Sequence, residues 1–253
     1  MIRFFLLLLL SAVLPGCETS SVETPAAASA DDPATVLLRA VVDAHGGARY
    51  DTAAYRFVFR GTTYELRSDG PRYDYRRTFE RNDTTFHDRL TNDGFVRTAN
   101  GTPLELTQRQ QTRYGDGLNS VIYFATLPHK LLDPAVQLEL LPDATFNGQT
   151  YRTLGVTFQQ AGGGTDYQDN YRYWIHPERK TVDFLAYDYV VDGGGVRFRE
   201  AYHPRTVAGI RFQDYVNHKA PTGTPLDALP ALFSAGELVE LSRIETEMVE
   251  VLE

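Results

Sequence analysis

Cysteine is almost absent from this sequence, since Cys17 is the single one among 253 residues. The chain that follows it therefore has no disulfide, no CxxC redox motif and no cysteine-based metal site. Long apolar runs are scarce as well. The segment from Phe4 to Leu14 is apolar apart from Ser11, but it falls short of the roughly 20 residues that a membrane-spanning helix needs. Both absences direct attention to the N-terminus, where the apolar run and the cysteine lie together.

The N-terminal segment resembles a bacterial lipoprotein signal. Arg3 precedes the apolar run, and Leu14-Pro15-Gly16-Cys17 is similar to the lipobox, where signal peptidase II cuts before a cysteine that becomes lipidated. Pro15 departs from the Ala, Ser or Thr that is usual there, and the alternative is an ordinary signal peptide with an incidental cysteine. The resemblance implies fatty acyl chains such as palmitate on Cys17. It also implies three parts: a lipoprotein signal peptide at 1–16, an acylated and flexible tether at 17–30, and a single domain at 31–253.

Positive charge is too sparse to favour an acidic partner. The formal net charge is −8, and the sequence pI is near 5.3. Such a chain has no electrostatic attraction to nucleic acid or to an anionic lipid surface. We therefore expect no nucleic-acid partner, a monomer, and membrane attachment through the N-terminal lipid alone.

Aromatic residues are abundant by contrast, and their spacing predicts β-strands. The chain has 15 Tyr and 14 Phe, and Tyr55, Phe57 and Phe59 alternate with Arg56 and Val58, as in an antiparallel strand with one buried face. Turn dipeptides separate such segments: Asp69-Gly70, Asp93-Gly94, Asn100-Gly101, Asn147-Gly148 and Asp192-Gly193. We predict a mainly β (α+β) domain, with a large curved antiparallel sheet or half-barrel of about ten or eleven strands wrapped around short helices.

Three helices interrupt the predicted sheet. Asp32 and Pro33 provide an N-cap and a first-turn proline for the first helix, and Gly46-Gly47 ends it. The other two are the apolar segments at 118–127 and 226–235. A final strand is predicted over 238–251, with a bulge where its apolar alternation changes between Leu241 and Ile244.

The order of these parts resembles the outer-membrane lipoprotein carrier and receptor superfamily, in which a half-barrel shelters acyl chains. The segment Tyr173-Trp174-Ile175-His176-Pro177 is similar to the Trp-containing hairpin of that superfamily. The segments HGGARYDTAAYRFVFRGTTYEL, LNSVIYFATLP, VTFQQAGGGTDYQD and DGGGVRFREAYHPRTVAGIRFQDY resemble a family of bacterial lipoproteins of unknown function. The resemblance implies a half-barrel fold in the cell envelope, lipid-anchored at the outer membrane and facing the periplasm or cell surface. It implies no reaction and no ligand-contacting residue.

Motifs for catalysis or metal binding are lacking. The histidines are too far apart for a helical zinc pair, and there is no GxSxG elbow. Asp166 and Asp169 lack the spacing of a calcium loop. The glycine triplets at 162–164 and 193–195 lie between strand patterns, which predicts turns rather than phosphate loops. We therefore predict no catalytic residue, no metal and no cofactor.

Charged residues on otherwise apolar strands leave two interpretations open. They lie on the solvent face, which antiparallel sheets normally have, or they lie inside the concave sheet and form Arg–carboxylate pairs or hold a ligand head group. The residues concerned are Arg197, Arg199, Arg211, Asp88, Asp183, Asp188 and Asp214.

The functional hypothesis is a noncatalytic lipoprotein that binds a lipid or other amphiphile, such as a lipoprotein acyl chain, in an apolar cavity. The second and third helices would cover that cavity as movable elements, or they simply complete the core. The alternatives are an envelope hydrolase that uses carboxylates on neighbouring strands and a structural, partner-docking lipoprotein. The predicted ligand-binding residues are Tyr123, Phe124, Trp174, Arg197, Phe198, Arg199, Arg211 and Phe233.

Overall fold

Two antiparallel sheets of seven strands each form most of the computed structural model. The structure describes residues 32–161, 167–190 and 193–252. The predicted signal peptide, Cys17, the tether, the glycine triplet at 162–164 and Asp166 lie outside the described residues.

The first sheet, called the N-sheet, is built from the N-terminal half of the domain and the last strand. Its strands are β1 (Ala54–Phe59), β2 (Thr62–Asp69), β3 (Arg72–Arg81), β4 (Thr84–Thr91), β5 (Gly94–Ala99), β6 (Thr102–Pro103) and β14 (Glu247–Val251). The spatial order is β14-β1-β2-β3-β4-β5-β6, so consecutive strands pair as hairpins and β14 closes against β1.

The second sheet, called the C-sheet, is a simple meander. Its strands are β7 (Val136–Phe146), β8 (Gln149–Phe158), β9 (Asn170–Ile175), β10 (Val182–Tyr189), β11 (Gly195–Val207), β12 (Ile210–Ala220) and β13 (Val239–Ile244). They lie in the order β13-β12-β11-β10-β9-β8-β7. The predicted mainly β class with a curved antiparallel sheet or half-barrel is confirmed, but the strands form two open sheets, and the described residues contain more strands than the ten or eleven expected.

The C-terminal strand differs most from its prediction. The expected single strand with a bulge is two strands in two different sheets, because β13 pairs with β12 while β14 pairs with β1. The crossing is held at Thr246, whose N–H donates to Asp214 Oδ1 at 3.0 Å. The change of apolar alternation therefore marks a change of sheet rather than a local bulge.

Helix α1 (Pro33–His45) covers the inner face of the C-sheet. The Asp32 side chain accepts from the Thr35 N–H at 3.0 Å, as the predicted N-cap requires. The helix ends at Gly46, which has φ +141°, and a Cβ there would lie 3.0 Å from Ile210 Cγ1. Both the backbone conformation and the close approach of β12 therefore require glycine.

Helix α2 (Gln108–Ala125) begins about three turns before the predicted apolar segment. Thr107 and Gln110 form a reciprocal capping box, in which the Gln110 N–H donates to the Thr107 hydroxyl and the Thr107 N–H donates to the Gln110 side chain. The first half of the helix is polar and was missed for that reason. Its second half buries Leu118 and Ile122 against the inner face of the N-sheet.

Helix α3 (Leu229–Ser234) follows a 3₁₀ turn at Leu226–Ala228 and confirms the third predicted helix. It packs on the opposite, outer face of the C-sheet. None of the helices in the described part of the chain combines the length and apolar character that crossing a membrane would need.

Candidate functional site

A cavity of about 250 Å³ lies between the C-terminal half of α2 and the inner face of the C-sheet. The end of β1 and the crossing from β13 to β14 close its sides. The residues that line it are Phe59, Arg60, Ser120, Val121, Phe124, Ala125, Tyr187, Arg199, Gln213, Tyr215, Asn217, Ile244 and Thr246. Both sheets and a helix therefore contribute to a single site.

Strand register explains why these residues converge. Arg199 on β11 lies directly opposite Leu185 on β10 and Asn217 on β12. Side chains of directly paired residues point to the same face and lie close together. Tyr215 and Ile244 pair one row further along the same face. The cavity floor is therefore a patch of adjacent side chains on four neighbouring strands, β10 to β13.

Arg199 is the most unusual residue of the floor, because it is a cation with only 7% of its surface exposed. Its guanidinium carbon lies 4.0 Å from the centre of the Phe124 ring, and its Nη2 donates to the Tyr187 hydroxyl at 3.0 Å. Nε has no hydrogen-bond partner. Within the described residues no carboxylate forms an ion pair with Arg199, although buried charges are normally paired.

Other polar groups surround the guanidinium. Asn217 donates from Nδ2 to the Ser242 hydroxyl at 3.2 Å, and its Oδ1 has no partner among the described atoms. Gln213 donates from Nε2 to the Tyr215 hydroxyl at 2.8 Å. Burial raises the pKa of Tyr215, so this phenol remains neutral and able to donate at neutral pH. The floor thus offers several hydrogen-bonding groups beside one buried cation.

The mouth of the cavity carries a second positive charge. Arg60 and Ser120 are exposed there, and the guanidinium carbon of Arg60 lies 5.0 Å from the centre of the Phe59 ring. No Asp or Glu side chain belongs to the described lining. The cavity is therefore locally positive in a chain whose formal net charge is −8. This contrast favours an anionic ligand group.

Phe124 and Arg199 are the two predicted ligand-binding residues that line this cavity. Tyr123 lies next to it, in the core between α2 and the C-sheet, and burial raises the pKa of its hydroxyl well above the usual value. Arg197 stacks on Tyr189 and donates to its hydroxyl, away from the cavity. Arg211 donates from Nε to Gln213 Oε1 at 3.1 Å, so it contacts a lining residue without lining the cavity itself.

The remaining three predicted residues lie on the other side of the C-sheet from the cavity. Trp174 and Phe198 lie on the outer face of the C-sheet beneath α3, where Phe233 approaches Phe198 with ring centres 5.0 Å apart. Strand alternation is the reason, since residues 198 and 199 must point to opposite faces. The expected cavity beneath both helices is therefore not formed. Helix α3 completes a packed aromatic cluster, and α2 alone covers the cavity.

Several lining residues were missed by sequence reasoning. Gln213, Tyr215 and Asn217 alternate along β12, but two of them are polar, so their pattern looked like a solvent face. Ile244 is brought in by the departure of the chain from β13 toward β14, which no local pattern specified. The alternation of β12 showed that Gln213, Tyr215 and Asn217 share one face. Only the position of α2 shows that this face borders a cavity.

The charged strand residues divide between the two interpretations. Asp88 and Asp214 are buried and paired with arginines. Asp183 accepts from Arg179, and Asp188 accepts from Asn170 at 3.0 Å, near the surface. The buried pairs link strands, and neither belongs to the cavity.

Metal binding gains no support from the described ranges, which contain no cluster of three metal-ligating side chains. Asp169 is buried just before β9, and its predicted companion Asp166 lies outside the described residues. Of the glycine triplets, Gly193 and Gly194 have φ of +88° and +74°. They make the turn between β10 and β11, as predicted.

Solved structures of other bacterial proteins have a similar fold. A DUF1329 family protein from Desulfovibrio piger superimposes with a TM-score of 0.50 and 12% sequence identity, over 87% of this chain and 93% of that chain. A LolA superfamily protein from Nitrosomonas europaea matches with a TM-score of 0.47 and 10% identity, over 85% of this chain and 94% of that chain. No curated protein matches the sequence.

A family model matches residues 73–246, which is more than half of the chain. This match confirms the sequence-based expectation of a family without an assigned function. The chain belongs to DUF6503, a family of unknown function.

Proposed function

We propose that this protein is a noncatalytic, membrane-anchored envelope protein that binds an amphiphile in the cavity beneath α2. The observation that carries the proposal is the composition of the cavity. Its apolar lining includes Phe59, Val121, Phe124 and Ile244, and its floor holds the buried Arg199. Apolar walls with a few convergent polar groups are typical of small-molecule sites.

Apolar burial supplies most of the binding energy in such a site, at about 25 cal/mol for each Å² removed from water. The polar groups then fix the orientation of the ligand. A cavity that stacks Phe124 against a guanidinium has both properties within a few ångströms. A purely apolar ligand would leave Arg199 buried without a partner, whereas an amphiphile serves both regions.

Uptake of a fluorescent fatty-acid probe tests the proposal. The wild type should show saturable probe fluorescence, and Ala125→Trp should reduce it at least tenfold because the indole fills the cavity. Ala44→Trp is the matched control, because Ala44 is an exposed helical alanine outside the lining. Equal uptake by both variants, or no saturable uptake by the wild type, would contradict the proposal.

We also propose that Cys17 is the lipid anchor, after cleavage of a signal peptide at 1–16 and with 17–30 as a tether. The lipobox-like sequence before Cys17 supports this assignment, and two or three acyl chains would hold the protein on a membrane. The site would then face the periplasm or the cell surface at the outer membrane. Cys17→Ala should leave the protein unprocessed or released from membranes. An unchanged mature mass with unchanged membrane partition would contradict it.

The two alternative functions receive less support from this cavity. A hydrolase with paired carboxylates needs two acidic side chains near one substrate position, and the described lining contains none. A partner-docking lipoprotein needs no internal site, and failure of every amphiphile in the uptake assay would favour it.

A further inference from the structure

We infer that the ligand is a single-chain amphiphile with a monoanionic carboxylate head, and that Arg199 is the residue that selects it. This inference rests on the proposed function and adds the ligand class. It follows from three properties of the cavity: an unpaired buried cation, its small volume and the number of charges that it offers.

The first property is the state of Arg199. A guanidinium has five N–H donors and cannot lose its proton in a protein. The described structure satisfies the group with one hydroxyl, on Tyr187, and with the faces of Phe124 and Tyr187. Nε is buried without a partner. A carboxylate in the cavity would accept from the guanidinium group of Arg199 in a charge-assisted hydrogen bond, which is the strongest kind available to this cation.

The second property is size. The volume of about 250 Å³ lies just below the range of about 300–1,000 Å³ that is usual for drug-sized ligands. It exceeds the roughly 150 Å³ of an engineered cavity that holds benzene. One alkyl chain with a small head fits this range. A lipid with two or three acyl chains would need the cavity to enlarge.

The third property is charge. One buried cation is neutralised by one negative charge, and burying an uncompensated charge is costly. A carboxylate matches Arg199 in charge and in planar shape. A phosphate monoester carries about −1.5 to −2 at neutral pH and would keep an excess negative charge in the cavity. The second arginine, Arg60, lies at the exposed mouth, where it attracts anions before they enter.

The neighbour of Arg199 across the strands completes the head-group site. Asn217 is its direct partner in the β11–β12 register. Rotation of the Asn217 amide lets Oδ1 accept from the Ser242 hydroxyl, and Nδ2 then points a donor toward the bound carboxylate. Arg199 and Asn217 would thus hold the two carboxylate oxygens, while the alkyl chain lies along Phe59, Val121 and Phe124.

Calorimetric titration with three ligands of equal chain length tests the inference. Decanoate, 1-decanol and decyl phosphate share an alkyl chain and differ in head group. The wild type should bind decanoate at least tenfold more tightly than 1-decanol and more tightly than decyl phosphate. Equal affinity for decanoate and 1-decanol would overturn the inference while leaving amphiphile binding intact. Absence of binding by all three would instead overturn both proposals.

Variants of Arg199 identify the residue responsible. Arg199→Met should weaken decanoate binding by about tenfold or more and leave 1-decanol binding within about twofold. Arg199→Lys should retain part of the preference, because it keeps the charge and loses the planar fork. Arg172→Met is the control, since Arg172 pairs with Asp227 on the outer face of the same sheet. A thermal melt of each variant confirms folding. Unchanged decanoate affinity in folded Arg199→Met would overturn the assignment.

Discussion

Among the described residues, each sheet buries one arginine on its inner face, and the two arginines differ in their partners. On the N-sheet, Arg97 is 9% exposed and donates from Nη2 to Asp88 at 2.8 Å. Arg77 donates from Nε to the same carboxylate at 2.9 Å. On the C-sheet, Arg199 is 7% exposed and has no ion pair with a described carboxylate. Burial alone therefore does not distinguish a structural arginine from a candidate ligand-binding one.

The difference lies in what surrounds each cation. Register places Arg77, Asp88 and Arg97 in one row across β3, β4 and β5, and the Arg97 guanidinium stacks 3.7 Å from the centre of the Tyr114 ring on α2. This row is closed by protein groups. The corresponding row of the C-sheet continues from Arg199 to Asn217 and Ser242, which are both neutral, beside a cavity. The lack of an internal anion beside open space is the observation that supports the proposed anionic ligand.

Removing the shared carboxylate of the N-sheet should have the largest effect. Asp88→Asn leaves the buried Arg97 and the partly buried Arg77 without their counter-charge, and breaking a buried pair in this way costs about 3–5 kcal/mol. Urea unfolding followed by circular dichroism measures the loss. Asp143→Asn is the control, because the Asp143–Arg152 pair is exposed and is worth about 0–1 kcal/mol. Equal losses in both variants would mean that the buried row is not a structural pair.

His45 is an ionisable group that is buried in its neutral form rather than as a charge. Burial lowers its pKa to about 4 despite its contact with the Val41 carbonyl, and Arg211 lowers it further while Asp183 opposes the shift. The histidine is therefore neutral when folded, and the unfolded chain takes up the proton first. Stability should fall by about 2 kcal/mol between pH 7 and pH 5 from this group alone.

Unfolding free energies of the wild type and His45→Gln at both pH values isolate this contribution. The pH dependence of the variant should be flatter by that amount. The same slope in both proteins would show that His45 is not buried in its neutral form.

A carboxylate introduced beside Arg199 would give the C-sheet the same internal ion pair that Asp88 forms with Arg97 in the N-sheet. Asn217→Asp places a carboxylate directly across from Arg199 and should form an internal ion pair. Decanoate binding should then weaken by about tenfold or more, because the ligand loses its counter-charge and meets a like charge. Asn217→Leu removes the amide without adding charge, so it should weaken decanoate binding less than Asn217→Asp, by the loss of the Asn217 hydrogen bond alone. Full decanoate affinity in Asn217→Asp would contradict the proposed role of Arg199.

The smallest expected effect is on stability at Arg199 itself. Arg199→Met removes a buried charge that lacks a carboxylate partner, so the free energy of unfolding should stay within about 1 kcal/mol of the wild type or increase. Urea unfolding of ligand-free protein measures it. A loss as large as that of Asp88→Asn would indicate that Arg199 is structural after all.

Sequence reasoning succeeded where local signals were sufficient. The N-cap at Asp32 and the turn at Gly193-Gly194 were predicted correctly, because each depends on neighbouring residues. The start of α2 was missed although Thr107 and Gln110 spell a capping box, since the polar half that follows has no apolar face to reveal a helix. The strands could not be assigned to two separate sheets from the sequence, because strands in either sheet show the same alternation of apolar and polar residues.

The mainly β class, the first helix and the family to which the chain belongs could be predicted from the amino-acid sequence. Alternation and capping are written in adjacent residues, so they need no knowledge of the fold. The three-dimensional structure was needed to show that β13 and β14 lie in different sheets and that the face carrying Arg199, not the one carrying Phe198, borders the cavity beneath α2. It alone decided that Arg199, rather than Arg197 or Arg211, lines the cavity beneath Phe124. Strand alternation defines two faces without saying which one is covered, and that choice depends on helices distant in sequence.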